Sequence, residues 1–138
     1  FVAEHNNLTT DQVIKIHSTP NYLVYMLGFT PGFPYLGGMD ESISTPRLTT
    51  PRTLIPAGSV GVADKQTGIY PSESPGGWRL IGKTPLTLFN HEQDPPSLIM
   101  PGNLIRFVPI KSINEYETIL NLVKTNKFKP NKSIKNVP

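Results

Sequence analysis

Cysteine is absent from the 138 residues, which excludes a disulfide framework and every form of thiol chemistry. No run approaches the roughly 18 apolar residues of a membrane span, and Phe1 to Asn7 lack the basic stretch and apolar run of a secretion signal. Together these point to a cytoplasmic protein that makes no membrane contact. Histidine is scarce: His5, His17 and His91 show no metal-ligand spacing, so no metal site is expected. There is no G-x-S-x-G element to carry an acyl-transfer nucleophile. A basic excess is also missing from most of the chain. The pI near 9.2 and net charge of +3 come from Lys124, Lys127, Lys129, Lys132 and Lys135; without these five, 8 basic side chains face 10 acidic ones. Nucleic-acid binding is not expected of a slightly acidic body, and residues 124–138 read as a basic, solvated and disordered tail.

What is present suits one soluble domain with a proper core: 37% hydrophobic and 17% charged residues. "TTDQVIKIH" sets Thr9 three residues before Gln12, and "SINEYETILNLV" does the same with Ser112 and Glu115. Each is the capping-box spacing ahead of an apolar periodicity, which predicts a short helix near each end of the chain. Between them lie short β-like runs, "YLVYMLGF", "SVGVAD", "TGIY", "WRLIG", "PLTLFN" and "NLIRFVPI", with no helical stretch among them. The class is therefore mainly β, a sandwich or barrel, over residues 1–123.

Four stretches could carry chemistry. "GFTPGFPYLGG", residues 28–38, spends four glycines and two prolines on a loop that must be irregular yet stiff. Stiffness makes Phe29, Phe33 and Tyr35 either the lid of a core or the wall of a pocket. "STPRLTTPRT" places Arg47 and Arg52 where a guanidinium could clamp a carboxylate. Their odd spacing sends them to opposite sides of an extended segment unless a turn intervenes, so Arg52 is assigned to a site and Arg47 to the surface. "QTGIYPSESPGGW" joins Gln66, Tyr70 and Trp78 to a Gly-Gly step that can approach a ligand; the alternative is a tight turn with Trp78 in the core. "GWRLIGKT" matches the phosphate-loop spacing formally. Its intervening residues read as a strand and Pro85 follows instead of a helix, so Gly82-Lys83 is taken as a turn between strands.

"YMLGFTPGFPYLGG", the stretch from Pro46 to Phe89 and "PGNLIRFVPI" together resemble the allophanate hydrolase subunit 1 family, which includes the B component of 5-oxoprolinase and a sporulation kinase inhibitor. The resemblance runs from about Thr9 to Ile110. It implies a cyclophilin-like β-barrel with a groove, preceded in the full protein by a small α/β domain that is not in this chain. A groove favours the pocket-wall reading, with Phe33, Tyr35, Arg52, Gln66, Tyr70 and Trp78 as substrate-binding residues. Two positions depart from the family pattern: Asn103 replaces the usual Asp after Pro-Gly, and Asp64-Lys65 replaces a smaller pair.

The resemblance also implies one of two functions. The first is the B component of an ATP-dependent 5-oxoprolinase, opening 5-oxoproline to glutamate together with the enzyme's C component and a hydrolase subunit. ATP would be used by the assembled complex, with no cofactor bound by this chain, and the isolated chain would be inactive. The second is an inhibitor that binds a sensor histidine kinase and blocks its autophosphorylation.

Overall fold

A computed structural model describes residues 1–130. The chain opens with α1 (Val2–His5), a single turn with no counterpart in the sequence reading, and continues into α2 (Thr10–Ser18). Both capping-box bonds of α2 form: the Gln12 N–H donates to Thr9 Oγ1 at 3.1 Å and the Thr9 N–H to Gln12 Oε1 at 2.8 Å. Strands β1 (Tyr22–Leu27) and β2 (Pro34–Gly37) follow. After a 3₁₀ turn at Glu41–Ile43 come β3 (Arg52–Ile55), β4 (Ser59–Ala63), β5 (Gln66–Ile69), β6 (Ser74–Gly76), β7 (Arg79–Lys83), β8 (Leu104–Ile105) and α3 (Ile113–Lys124).

Six strands form one antiparallel sheet in the order β7-β4-β5-β2-β1-β8, and β3 pairs with β6 in a second sheet of two strands. The chain is mainly β, with a helix near each end, as its capping signals indicate. The end strands β7 and β8 are not paired with each other among the described residues, so the sheet is not closed into the barrel that the resemblance implies. Strands β2, β3 and β6 escape the sequence reading because they are short and carry or adjoin Pro34, Gly37, Pro51, Pro56 or Pro75; each is held by its partner rather than by its own propensity. "PLTLFN" contributes no named strand, only an isolated bridge between Phe89 and Ser97. Gly82 and Lys83 lie inside β7, with Gly82 opposite Val60, and not in a turn. No helix follows them, so the formal phosphate-loop match has no structural counterpart.

Alternation sorts the sheet into two faces. Tyr22, Val24, Leu36 and Val62 point to one side and meet Val2, Val13 and Ile43 from the helices, forming the larger core. The second face carries the site. Ile55 of β3 joins Phe33, Ala63, Tyr70 and Trp78 there in a separate core cluster. Strand β4 is buried along its whole length because it lies between the two clusters.

Both departures from the family pattern fall in turns. Asn103 closes the turn Met100-Pro101-Gly102-Asn103: its N–H donates to the Met100 carbonyl at 3.0 Å, and its Oδ1 accepts from the Met100 N–H at 2.9 Å. Gly102 supplies the φ of +90° that this turn demands at its third position. An aspartate would accept the same bond, so Asn103 acts here as a turn residue. Asp64 and Lys65 make the tight β4–β5 hairpin, with Asp64 at φ +52°, a conformation that Asp and Asn tolerate better than most residues.

The last five lysines divide. Lys124 is the final residue of α3, and the helix stops on Asn126 at φ +57°, with the Asn126 and Lys127 N–H groups donating to the Val123 and Leu122 carbonyls. That pair of bonds is a Schellman stop. The boundary expected at residue 124 thus lies within the helix cap, and the part of the expected tail from residue 131 to 138 lies outside the described residues.

Candidate functional site

Glycine makes room for the aromatic cluster. A Cβ on Gly68 would sit 3.0 Å from both the Phe33 and Trp78 rings, and one on Gly61 would lie 3.1 Å from Trp78 Cβ. With neither present, the two rings settle onto the sheet. The Phe33 centroid lies 5.1 Å from Tyr35, 5.2 Å from Tyr70 and 5.4 Å from Trp78, the latter two at near-perpendicular angles. This is the edge-to-face arrangement that aromatic quadrupoles favour. Phe33 and Tyr70 are each 1% exposed and Trp78 is 6% exposed.

The stiff loop from Gly28 to Gly38 therefore does two things at once. It drives Phe33 into the core and turns Phe29 out to solvent at φ +66°, an unusual backbone conformation for a bulky residue. Tyr35, in between, is half-buried. The pocket-wall expectation is corrected for Phe33, Tyr70 and Trp78: bare glycine beneath them lets these rings seat fully, so they support the site from below and do not line an open groove. Tyr35, Gln66 and Arg52 remain at the surface.

The two arginines are not separated as the odd spacing suggests. A bend at Thr49–Thr50 intervenes, and the Leu48 N–H donates to the Gly77 carbonyl at 2.8 Å, laying this segment along the Gly-Gly step. Arg52 starts β3 opposite Gly76 of β6. Arg47 reaches back over the Trp78 ring, its guanidinium carbon 5.8 Å from the ring centre, with Nε 4.0 Å from the Asp64 carboxylate. Burial raises the pKa of the Tyr70 hydroxyl; the Trp78 backbone N–H and the charges of Arg47 and Arg52 oppose that shift without cancelling it. Tyr70 is accordingly a neutral phenol at physiological pH. Nearby, Gln66 Nε2 donates to the Tyr25 hydroxyl at 3.1 Å, and the Tyr25 and Tyr35 rings are 6.2 Å apart. Two cations, an amide and two accessible phenol rings are suited to holding a small planar anion. Among the described residues no group of three or more His, Cys, Asp or Glu side chains could hold a metal ion.

Arg47 lies at the surface, as expected of it, and the bend that sets its guanidinium over Trp78 has no proline or glycine of its own to announce it; Tyr25 reads in the sequence as an ordinary strand residue. The end of α2 would favour a cation at His17, yet its ring is 5% exposed, tilted at 43° with its centre 4.4 Å from that of Phe107, and burial holds its pKa down at about 4. Thr67 Oγ1 donates to the Gly61 carbonyl at 2.9 Å and has no second proton, so the 2.8 Å contact with His17 Nε2 requires Nε2 to carry a proton; with its pKa held down, the ring is the neutral Nε2–H tautomer. This relay ties α2 to the strand that carries Gly61, directly beneath Trp78.

Residues 1–99 match the family described as carboxyltransferase domain, subdomain C and D. The chain is 56% identical over 109 residues to the B component of 5-oxoprolinase from Bacillus subtilis, covering 79% of this chain and 45% of that protein. It is 54% identical over 110 residues to the 5-oxoprolinase B component of Escherichia coli O157:H7, covering 80% and 50%. Urea amidolyase of Lachancea kluyveri is 31% identical over 118 residues, covering 80% of this chain and 6% of that protein. Among solved structures, a conserved uncharacterized protein from Pyrococcus horikoshii superposes with a TM-score of 0.80 at 59% identity, covering 84% of this chain and 54% of that one. The chain spans about half the length of the 5-oxoprolinase relatives it matches.

Proposed function

Because the chain belongs to the carboxyltransferase-domain family, within the group that holds the 5-oxoprolinase B component, we propose that it forms the substrate-binding part of such a component. In this reading it acts in the cytoplasm with the enzyme's C component and a hydrolase subunit, and the assembled complex uses ATP to open 5-oxoproline to glutamate. The observation that carries the proposal is the Arg47 guanidinium 5.8 Å over the Trp78 ring, above the buried Phe33–Trp78 pair, with Arg52 opening the strand that pairs with Gly76 two residues before that ring. A five-membered lactam bearing a carboxylate needs a cation for the carboxylate, a flat apolar surface for the ring and a donor for the amide carbonyl. Arg52 and Arg47 supply the first, Tyr35 the second and Gln66 the third. Tyr70, Phe33 and Trp78 hold that surface in place. The same resemblance leads us to read the two sheets as parts of one cyclophilin-like barrel.

The test is reconstitution of the full-length protein with its partner subunits, measuring ATP-dependent release of glutamate from 5-oxoproline. Turnover that requires all partners supports the proposal; turnover by the other components at the same rate without this protein overturns it. The exposed Leu23, Tyr25, Met26 and Phe29 side chains on and beside β1 give the second reading its basis, since such an apolar face suits a protein partner. On that reading the protein would block autophosphorylation of a sensor histidine kinase in a purified kinase assay and would add nothing to glutamate release.

A further inference from the structure

Helix α3 lies beyond residues 1–99, the stretch that matches the family model, and its chemistry is independent of the site. Its start and stop are both specified. Ser112 Oγ accepts from the Glu115 N–H at 3.1 Å, Glu115 Oε2 accepts from the Lys111 N–H at 3.0 Å, and the Schellman bonds close the other end. A twelve-residue helix that is well capped still needs tertiary packing to persist. Its apolar side chains, Ile113, Tyr116, Ile119, Leu120 and Val123, fall on one stripe, but no residue of α3 is buried and none joins a core cluster. Ile113 is 69% exposed. Tyr116, Ile119, Leu120 and Val123 are partly buried, and among the described residues no core cluster covers the stripe.

Charge identifies what fits it. Glu117 and Lys124 are seven residues apart, so they stand on the same flank of the stripe, about 20° from each other around the helix axis. Neither makes an ion pair among the described residues. When two copies of one helix pack antiparallel about a two-fold axis, like flanks face each other and the chain direction is reversed. Glu117 of one copy then meets Lys124 of the other, and the symmetry makes the contact twice. A parallel pair would leave these charges unmatched and align the helix dipoles. We propose that α3 is a self-association helix that pairs antiparallel with α3 of a second copy, the axis passing near Leu120, with Tyr116, Leu120 and Val123 in the seam. The interface is isologous, as a closed dimer requires. Each helix is only about 18 Å long, so the interface falls below the standard size and the dimer is weak.

Sedimentation equilibrium of the 138-residue chain tests this. Its mass should rise from 15.3 kDa toward twice that value as the concentration increases from about 10 μM to about 1 mM. Glu117→Lys and Lys124→Glu should each weaken the dimer about tenfold, because either change sets like charges opposite each other twice. Mixing the two variants should restore association, since every Lys then faces a Glu. Both positions are exposed, and circular dichroism melts should match the parent chain. A chain that stays at 15.3 kDa throughout overturns the proposal, as does a dimer indifferent to the charge reversals or variants that fail to associate when mixed.

Discussion

Lowering the pH from 7 to 4 should destabilise this protein through a single imidazole. His17 sits against Phe107 and Tyr22 with its Nε2–H given to Thr67, and burial takes its pKa from 6.5 to about 4. The folded state resists protonation while the unfolded chain accepts it at the ordinary value, so stability is fully present above pH 6.5 and is lost as the pH falls through 4. One pKa unit is about 1.36 kcal/mol. The loss is then about 1.4 kcal/mol at pH 5.5 and about 3 kcal/mol at pH 4, a large share of a stability of roughly 5–15 kcal/mol. Asp40, whose carboxylate is held below its usual pKa by the Ser42 backbone and side chain, loses its contribution only at still lower pH and does not overlap this window. The assay is urea denaturation at pH 7, 5.5 and 4 for the parent and for His17→Gln, whose amide can still donate to Thr67. The parent should lose stability over this range and His17→Gln should stay nearly flat. Parallel curves refute the reasoning, as does an NMR titration in which the His17 ring protonates with a midpoint above about pH 5.5.

Arg52→Ala should lower glutamate release by the assembled complex at least tenfold with an unchanged melt, and Arg47→Ala should now do the same, because the bend brings both to Tyr70; full activity in either variant, by steady-state kinetics, removes that arginine from the site. Gly68→Ala should cost about 1–3 kcal/mol in urea denaturation, since its methyl meets two rings at 3.0 Å that have no space to retreat. Asn103→Asp should change stability by less than about 0.5 kcal/mol, because the Met100 N–H keeps its acceptor; a larger loss would mean that the amide does more than shape the turn.

The parts of the fold legible in the sequence are those fixed by local chemistry. Thr9 with Gln12 and Ser112 with Glu115 mark helix starts because a cap is made within four residues. Strands β4, β5 and β7 show as apolar runs. Strands β2, β3 and β6 do not, since the prolines in and around them, with Gly37, obscure the pattern and only pairing across the sheet makes them extended. The site divides in the same way. That the Gly28–Gly38 and Gln66–Trp78 segments belong together follows from the groove that the family resemblance implies, their composition only marking each as irregular and aromatic. Which aromatic faces inward cannot be read from either, because it depends on Gly61 and Gly68, far away in sequence, being bare where the rings arrive.

Those glycines connect the fold to the proposed chemistry. Trp78 is wedged between Gly61 and Gly68 below and the Arg47 guanidinium above, so the height of the ring over the sheet sets the height of the cation over the ring. On the opposite face of the same strands, Thr67 is locked between His17 and the Gly61 carbonyl. A methyl at position 68 should therefore act twice, loosening the core and displacing Arg47 outward, whereas His17→Gln keeps the Thr67 bond and leaves the arginine where it is. At equal thermal stability, reached by lowering the assay temperature for Gly68→Ala, the glycine variant should still show a raised KM for 5-oxoproline and the histidine variant should not. If KM follows stability alone in both, the buried rings are only a core, and the arginines are positioned by something other than Trp78.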